Sequence, residues 1–233
     1  MRTETGLHAI GLSKWFGREP NAVRALDDVT LEIAPASFVI VLGASGSGKS
    51  CLLAAMSGLQ RPDRGEVHFQ GRDIWARGNQ SAAAFRRDAC GFVFQSPGLF
   101  PSLTAWQQIY VPLRQLGVDR QVARLRATEA LDHVGLSARE GALPTQLSGG
   151  QNQRVAIARM LAKQPAILFC DEPTSALDTD NARLIGELFQ HVVRQRGATI
   201  VCATHDERLI PFCDRVITLQ AGSLIHDQLQ DPA

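Results

Sequence analysis

The sequence predicts an α/β fold in which a mostly parallel sheet is interrupted by an inserted helical segment. Apolar runs of strand length, such as Phe38 to Leu42, alternate with helical stretches in the first and last parts of the chain. The stretch from Ser96 to Lys163 instead carries helical patterns after a loop rich in proline and glycine. Because neither an internal repeat nor a low-complexity linker is visible, we expect a single domain over residues 1–233.

The first elements are strands that lead into a helix. Residues 23–33 alternate apolar and polar side chains, as a half-buried strand does, whereas residues 38–42 are apolar throughout. Both faces of this second strand should therefore be buried, as in a parallel sheet. A helical stretch follows from Lys49 and stops near Gly58, and residues 65–71 read as another short strand.

The remaining elements divide into a helical insertion and a resumed strand–helix alternation. We expect strands at Cys90–Gln95, 166–170, 198–204 and 215–222, and helices at 104–116, 122–134 and 179–195, with a short helix after 204. These elements assign residues 1–95 and 164–233 to a core and residues 96–163 to a helical subdomain.

The charge balance and the hydropathy pattern exclude some classes of partner. Lys and Arg total 24 against 23 for Asp and Glu, a formal net charge of +1, so no nucleic-acid partner is expected. The longest apolar stretches are of strand length, whereas a membrane-spanning helix needs about 20 apolar residues. We therefore expect any work at a membrane to be done from outside the bilayer.

The five cysteines indicate a reducing compartment. Their number is odd and their spacing matches neither a zinc site nor a CxxC motif. Three of them lie in apolar strand-like runs, where a cysteine serves as a small buried hydrophobe. We expect free thiols and a cytoplasmic chain.

A glycine-rich motif between a buried strand and a helix predicts a triphosphate site. The segment GASGSGKS fits the pattern G-x-x-x-x-G-K-[ST] in the required strand–loop–helix context. Glycines let backbone N–H groups approach phosphate oxygens, and the helix N-terminus adds its dipole. Lys49 is expected to reach the β- and γ-phosphates and the Ser50 hydroxyl to ligate Mg²⁺. The expected ATP-binding residues of this phosphate loop are Gly43, Ala44, Ser45, Gly46, Ser47, Gly48, Lys49 and Ser50.

Two adjacent carboxylates follow an apolar strand and fit the chemistry of hydrolysis. The carboxyl end of a parallel strand opens into the ligand crevice, so Asp171 and Glu172 should lie beside the phosphate loop. Asp171 is expected to hold Mg²⁺, and Glu172 to polarise the water that attacks the γ-phosphate. A solvated turn at the end of the strand is the alternative.

The segment LSGGQ, Leu147 to Gln151, opens a helix. Ser148 followed three residues later by Gln151 fits a capping box. A capping box does not explain the consecutive Gly149 and Gly150, which would expose backbone N–H groups to an anion at the helix N-terminus.

With these motifs in this order the chain resembles the ABC ATPase family over nearly its whole length. Gly43–Ser50 is similar to the Walker A loop, Gln95 to the Q-loop glutamine and Leu147–Gln151 to the signature motif. Asp171–Glu172 is similar to the Walker B pair, 175–178 to the D-loop and His205 to the switch histidine. The resemblance implies a P-loop NTPase core with an N-terminal antiparallel β subdomain.

The resemblance also implies partners and roles. Two copies would form a head-to-tail dimer around two ATPs, with Ser148, Gly149, Gly150 and Gln151 of each copy on the nucleotide of the other. His205 would contact the γ-phosphate, and Gln95 would couple the metal site to a membrane partner. Without the resemblance, His205 and Gln95 would read as ordinary structural residues.

The adenine contact and one departure from the family pattern remain to be placed. An aromatic ring early in the chain stacks on adenine in the family, and this sequence offers Phe16, with Trp15 the competitor and core packing the alternative for either. Cys51 stands where the family usually has Thr. A thiol is a poorer hydrogen-bond donor for a phosphate than a hydroxyl.

Two kinds of machine fit these features. Residues 91–113, with Asp132–Leu136 and Leu143–Gln151, resemble the lipoprotein-release and macrolide-export branch, whose ATPases pair with an integral membrane permease. The chain would then be a peripheral protein on the cytoplasmic face of the inner or plasma membrane. The alternative is a soluble ABC ATPase without a permease, acting in cluster assembly or a DNA-linked process.

Overall fold

Two sheets form the framework of the chain in a computed structural model that describes residues 6–18 and 20–230. The smaller sheet is antiparallel, with the strand order β2-β1-β4-β5, and the larger sheet has the order β10-β9-β3-β8-β7-β6. The strands are β1 Leu7–Phe16, β2 Val23–Ile33, β3 Phe38–Leu42, β4 Arg64–Phe69, β5 Arg72–Asp73, β6 Cys90–Val93, β7 Ile167–Asp171, β8 Thr199–Ala203, β9 Arg215–Gln220 and β10 Ser223–Leu229.

The larger sheet is parallel except at one edge, as expected. Strand β3 pairs in parallel with β8 and β9, and β7 pairs in parallel with β6 and β8, whereas β10 runs antiparallel to β9. Alternate residues of β3 enter two different cores: Phe38 and Ile40 face one, and Val39 and Val41 face the other. This pattern explains why the strand is apolar throughout.

Within residues 6–18 and 20–230, six α-helices pack on the two sheets or lie in the insertion. They are α1 Lys49–Met56, α2 Asn79–Asp88, α3 Ala105–Gln115, α4 Arg120–His133, α5 Gly149–Ala162 and α6 Thr179–Arg196. Helices α3, α4 and α5, all within residues 96–163, pack on one another. The short helix expected after residue 204 is the 3₁₀ helix Glu207–Phe212.

The boundaries differ from the sequence expectations at one place that matters for function. Strand β6 ends at Val93, so Gln95 lies in the following loop and not in the strand predicted for Cys90–Gln95. Just beyond the last strand residue, the Phe94 carbonyl accepts a hydrogen bond from the side chain of Gln153. Helix α2 and strand β10 were not predicted at all.

Tight packing fixes the helix that supports the segment after His205. A Cβ atom added at Gly186 in α6 would lie 2.3 Å from Cδ2 of Phe212, at the end of the 3₁₀ helix. Such a distance is far below van der Waals contact, so the close approach of these two elements requires glycine.

The substitution Gly186→Ala should destabilise the protein by about 1–3 kcal/mol, because the added methyl group overpacks the contact with Phe212. This sign is opposite to the gain that Ala gives at an open helix position. Urea unfolding of the two proteins measures the difference. The control is Gly141→Ala, where no atom lies within 4 Å of the added methyl group, and its effect should stay within about 0.5 kcal/mol. Equal stability of Gly186→Ala and the parent protein would contradict the packing argument.

Candidate functional site

The phosphate loop joins the carboxyl end of β3 to the start of α1, in the middle of the larger sheet. Two of its glycines are required by backbone contacts. A Cβ at Gly43, where φ is +159°, would lie 2.4 Å from the Leu219 carbonyl oxygen, and a Cβ at Gly48, where φ is +104°, would lie 2.4 Å from the Ala25 carbonyl oxygen. The loop is therefore clamped between strands β9 and β2, and only glycine fits at either contact.

Lys49 lies folded over the loop. Its ammonium Nζ donates to the Gly43 carbonyl at 2.6 Å and to the Ala44 carbonyl at 3.1 Å, and the residue is buried. A lysine ammonium is a compact charge with three donors. It is thus positioned at the loop, where an anionic oxygen would replace a carbonyl as its partner.

One open cavity collects most of the predicted site residues. It has a volume of about 610 Å³, which lies within the range of roughly 300–1,000 Å³ that is typical of small-molecule sites. The cavity is lined by Ala25, Ser45, Gly46, Ser47, Gly48, Lys49, Ser50, Cys51, Gln95, Glu172 and His205. Phosphate-loop amides, the loop glutamine and the residues that follow β7 and β8 therefore meet in one place, as the sequence predicts.

Asp171 ends strand β7 beside Ser50. Burial raises the pKa of the Asp171 carboxyl above its ordinary value, and the charge of Glu172 acts in the same direction, while the Ser50 hydroxyl and Lys49 oppose the shift. Oxygen Oδ1 of Asp171 is buried and has no hydrogen-bond partner within the described part of the chain. A buried carboxylate oxygen without a partner, next to a hydroxyl, suits a small hard cation.

Glu172 is buried and held by the end of strand β8. The Thr204 hydroxyl donates to Oε2 at 3.0 Å, and Nδ1 of His205 lies 2.9 Å from Oε1. The backbone of Glu172 has a φ of +48°, and its N–H donates to the Ala203 carbonyl at 2.8 Å. A left-handed non-glycine residue costs about 1–3 kcal/mol and persists only where its surroundings impose it.

A second network links the segment after β8 to the segment after Glu172. Thr174 donates to Oδ2 of Asp206 at 2.5 Å, and Arg208 contacts both carboxylate oxygens of Asp206 at 2.8 Å. Burial alone would raise the pKa of Asp206, but these hydrogen bonds outweigh it and the pKa is lowered. Arg208 also donates to the Leu177 carbonyl, which links residues 175–178 to the 3₁₀ helix that follows His205.

Sequence reasoning missed Thr204, Asp206 and Arg208. For Thr204 a signal was available, because a polar side chain directly follows the buried strand β8, as Glu172 follows β7. The contact of Arg208 with Asp206 connects neighbours in the sequence, and nothing in the local pattern distinguishes it from a solvated turn.

The signature motif forms the predicted capping box. The Gln151 N–H donates to the Ser148 hydroxyl at 3.2 Å, and the Ser148 N–H donates to Oε1 of Gln151 at 2.9 Å. The two glycines differ. Nothing lies within 4 Å of a Cβ added at Gly149, whereas a Cβ at Gly150 would lie 2.8 Å from the Ala176 carbonyl oxygen. Gly150 is thus required by packing, and Gly149 leaves the helix N-terminus open.

The signature motif does not line the cavity of its own chain. Ser148 and Gly149 are exposed, and neither they nor Gly150 and Gln151 belong to the lining of the phosphate-loop cavity. The open helix N-terminus therefore lies outside the nucleotide cavity of its own chain.

The two candidate adenine contacts differ in their surroundings. The Trp15 ring lies 5.3 Å from each of the guanidinium groups of Arg24 and Arg64. Phe16 is 44% exposed, with the Lys14 ammonium 5.9 Å from its ring. Neither ring lines the cavity. Cys51 does line it, and burial raises the pKa of this thiol to about 11, so the sulfur is protonated at neutral pH.

The comparison with known families decides the assignment. Residues 26–175, well over half of the chain, match the ABC transporter family model. The chain belongs to the ABC transporter family.

Relatives in this family match the chain over almost its full length. An ABC transporter ATP-binding protein of Mycobacterium tuberculosis is 41% identical over 212 residues, which is 91% of this chain and 86% of the relative. The lipoprotein-releasing system ATP-binding protein LolD of Geobacter metallireducens is 40% identical over 221 residues, or 95% and 98% of the two chains.

Solved ABC cassettes share the fold. The cassette MJ0796, a dimer bound to ADP and Pi in a post-hydrolysis state, superposes with a TM-score of 0.89 at 35% identity, covering 96% of this chain and 98% of that one. The cassette CbiO1 of Clostridium perfringens, part of the ABC transporter complex CbiONQ, superposes with a TM-score of 0.84 at 28% identity, covering 97% of this chain and 88% of that one.

These matches confirm several sequence expectations. The fold is that of an ABC ATPase, and the protein is the ATP-binding subunit of an ABC transporter with ATPase activity. This favours the transporter over the permease-free alternative. The dimeric neighbour supports a dimer for this ABC ATPase. Across residues 6–18 and 20–230, no helix is both long enough and apolar enough to span a bilayer.

The raised pKa of Asp171 predicts an unusual pH dependence of stability. Because the folded state disfavours the ionised carboxylate, its contribution is favourable below the ordinary Asp pKa of about 4 and is lost as the pH rises through the higher folded value. The variant Asp171→Asn lacks this ionisation. In the absence of nucleotide it should be more stable than the parent protein at pH 7, and the difference should vanish below about pH 4.

Thermal unfolding at a series of pH values measures this difference. The control is Asp178→Asn, because backbone hydrogen bonds from Asn181 lower the pKa of Asp178 and the substitution should destabilise at pH 7. If Asp171→Asn were less stable than the parent protein at neutral pH, the stated cause of the pKa shift would be wrong.

Proposed function

We propose that this ABC ATPase binds Mg-ATP in the phosphate-loop cavity, pairs head-to-tail with a second copy around two ATPs, and drives a conformational change in an integral membrane permease. The observation that carries the proposal is the position of the signature motif. Its open helix N-terminus lies outside the cavity of its own chain, so a nucleotide there is covered only when a second copy supplies that motif.

The phosphate loop and Lys49 bind the triphosphate. Residues 45–51 line the cavity, and the N-terminus of α1 among them supplies free N–H groups and a dipole that match the charge of the phosphates. Lys49 exchanges its two carbonyl partners for β- and γ-phosphate oxygens. The protonated Cys51 thiol is a weaker donor than the usual Thr hydroxyl, so the backbone N–H carries the contact there.

The residues at the cavity fit a magnesium ion. Ser50 and Gln95 in the cavity lining, with Asp171 hydrogen-bonded to Ser50 behind it, would supply the oxygen donors, and the buried oxygen of Asp171 that lacks a partner within the described residues is the feature that supports the assignment. When bound, Mg²⁺ neutralises charge that develops on the phosphates. Because Mg²⁺ keeps several waters, two or three protein ligands are enough.

Glu172 polarises the attacking water. Thr204 holds one carboxylate oxygen, and His205 engages the other. When His205 turns toward the γ-phosphate, Oε1 of Glu172 becomes free to accept a hydrogen bond from water while Oε2 stays fixed. The exposed His205 ring has room for this movement, since its side chain is 72% exposed. These two residues, with Lys49 and Gln95, form the proposed catalytic set.

The proposed division of the chain separates binding from coupling. Residues 1–95 and 164–233 form the nucleotide-binding core, and residues 96–163 form the signature subdomain. This subdomain carries the exposed Phe100 and the stacked rings of Trp106 and Tyr110, which follow Gln95 closely in the sequence. We assign the permease contact to this surface, at the cytoplasmic face of the inner or plasma membrane, and the similarity to LolD favours a lipoprotein-release or macrolide-export type of system.

The substitution Glu172→Gln should slow ATP hydrolysis by about 10²–10³-fold, because a neutral amide does not polarise the water. With Mg-ATP bound but not cleaved, the protein should elute as a dimer in size-exclusion chromatography. The control is Lys49→Ala in the same background, which should lose ATP binding and remain monomeric. A Glu172→Gln protein that binds Mg-ATP and never dimerises would refute the proposed arrangement.

Phe16 is the proposed adenine contact, because Trp15 is already packed between Arg24 and Arg64. Loss of a stacking ring costs about 1–3 kcal/mol, so Phe16→Ala should weaken ATP binding roughly 5- to 150-fold. Titration with a fluorescent ATP analogue measures the affinity, and inorganic triphosphate competes equally with both proteins if only the base contact is lost. The matched control is Trp15→Ala, which should lower stability without this loss of affinity. The reverse result would assign the contact to Trp15.

A further inference from the structure

The signature helix α5 also holds the loop that carries Gln95. We call residues Phe94–Gly98 the Gln95 segment. It begins where β6 stops and carries Gln95 into the lining of the nucleotide cavity. Two side chains of α5, Gln153 and Arg159, donate hydrogen bonds to its backbone.

Gln153 is hydrogen-bonded to the start of this segment. It lies one helical turn beyond Gly149 and is 1% exposed. Its Nε2 donates to the Phe94 carbonyl at 3.1 Å, immediately before Gln95. Its Oε1 is also buried and has no partner within the described ranges of the chain. An amide buried with half of its hydrogen-bonding capacity unused is a poor choice for packing alone.

Arg159 is hydrogen-bonded to the end of the segment. Its two terminal nitrogens donate to the Gly98 carbonyl at 3.1 Å and to the Pro97 carbonyl at 3.0 Å. Burial lowers the pKa of this guanidinium. The fork of the guanidinium reaches two successive carbonyls at once, which fixes the direction of the backbone as well as its distance from the helix. Gln95 is therefore held from both sides by one rigid helix.

We propose that Gln153 and Arg159 are positioning residues that couple the two nucleotide sites of the dimer. This inference rests on the proposed function, in which the signature of one copy covers the ATP of the other copy while Gln95 serves the ATP of its own chain. The first turn of helix α5 then contacts the nucleotide of the partner copy. Through Gln153 and Arg159, the same helix positions Gln95 at the nucleotide of its own chain. When the signature motif binds the partner's nucleotide, Gln95 is therefore positioned for hydrolysis in the cavity of its own chain.

The first test is Gln153→Met, which keeps the length and most of the volume of the side chain but removes the donor. We expect kcat for ATP to fall about tenfold, with KM changed less than about twofold, because Gln95 is misplaced while the phosphate loop is untouched. In the Glu172→Gln background the same substitution should leave ATP-driven dimerisation intact. A merely structural role of Gln153 would weaken dimerisation and hydrolysis together.

The second test is a double-mutant cycle with Gln95→Ala. If Gln153 acts through Gln95, adding Gln153→Met to Gln95→Ala should not lower kcat further, so the two losses should not multiply. Fully multiplicative losses would overturn the inference, as would a kcat of Gln153→Met equal to that of the parent protein, or a parallel loss of dimerisation.

A matched pair of lysine variants keeps the test independent of Gln153. Arg159→Lys retains the charge but reaches at most one of the two carbonyls, so kcat should fall while dimerisation persists. Its control is Arg154→Lys on the same helix, because Arg154 donates to the Val134 carbonyl at the end of α4 and not to the Gln95 segment. Equal effects of the two variants would contradict the inference.

The failure of this inference is distinguishable from the failure of the proposed function. If the parent protein binds Mg-ATP, hydrolyses it and dimerises as Glu172→Gln, the proposed function stands whatever the α5 variants do. If it does none of these, the coupling inference falls with it.

Discussion

The clamp on the phosphate loop is the constraint on which the rest of the site depends. The loop is a run of backbone that must turn its N–H groups toward an anion, and such backbone has few internal hydrogen bonds to hold it. In this ABC ATPase it is held from outside: Gly43 packs against the Leu219 carbonyl and Gly48 against the Ala25 carbonyl. Gly222, in the turn between β9 and β10, links the two sides, because its N–H donates to the Ser47 carbonyl and its carbonyl accepts from Asp27.

This clamp brings distant parts of the chain to one point. Strand β2 belongs to the antiparallel sheet and β9 lies near the C-terminal end of the sequence, yet both press on the same eight-residue loop. The larger sheet adds its own constraint, because β7 and β8 run parallel to β3 and end at the same edge. Residues that follow these strands, Glu172 and His205 among them, therefore arrive beside the loop without any loop of special length.

Much of this arrangement is predictable from the sequence because it depends on local patterns. Strand-length apolar runs, the phosphate-loop spacing and the capping box of Ser148 and Gln151 each follow from a few adjacent residues, and the structure contains all of them. The sequence does not predict contacts made by backbone atoms. Gly150 is required by the Ala176 carbonyl, and just after β6 the Phe94 carbonyl accepts a hydrogen bond from Gln153. A backbone carbonyl has no identity in the sequence, so these partners appear only when the chain is folded.

Helix α2 shows the same limit in the fold. Its first turn has no side-chain cap and its apolar face is short, with only Ala82 and Phe85 buried. It is stabilised from outside, since Lys163 at the end of α5 donates to the Arg86 and Cys90 carbonyls and Arg86 donates to the Gly58 carbonyl. Tertiary contacts thus decide this helix where local propensity does not. Lys163 thus links the end of α5 to the start of β6. Because Gln153 of α5 also donates to Phe94 just after β6, the signature helix is hydrogen-bonded at both ends of this strand.

Under the proposed function, the position of the hydrolytic groups on different elements gives a reason why hydrolysis would require two copies of the chain. Thr204 and His205 hold the Glu172 carboxylate in the single chain, and the strained backbone at Glu172 fixes its direction. A carboxylate whose two oxygens are both engaged is a poor base toward water. Release of Oε1 requires His205 to gain another partner, and a phosphate oxygen becomes such a partner only in a cavity that is closed to competing water. In the proposed dimer, closure needs the helix N-terminus of the signature motif, which lies outside the cavity of its own chain, so the proposed chemistry depends on pairing for a geometric reason.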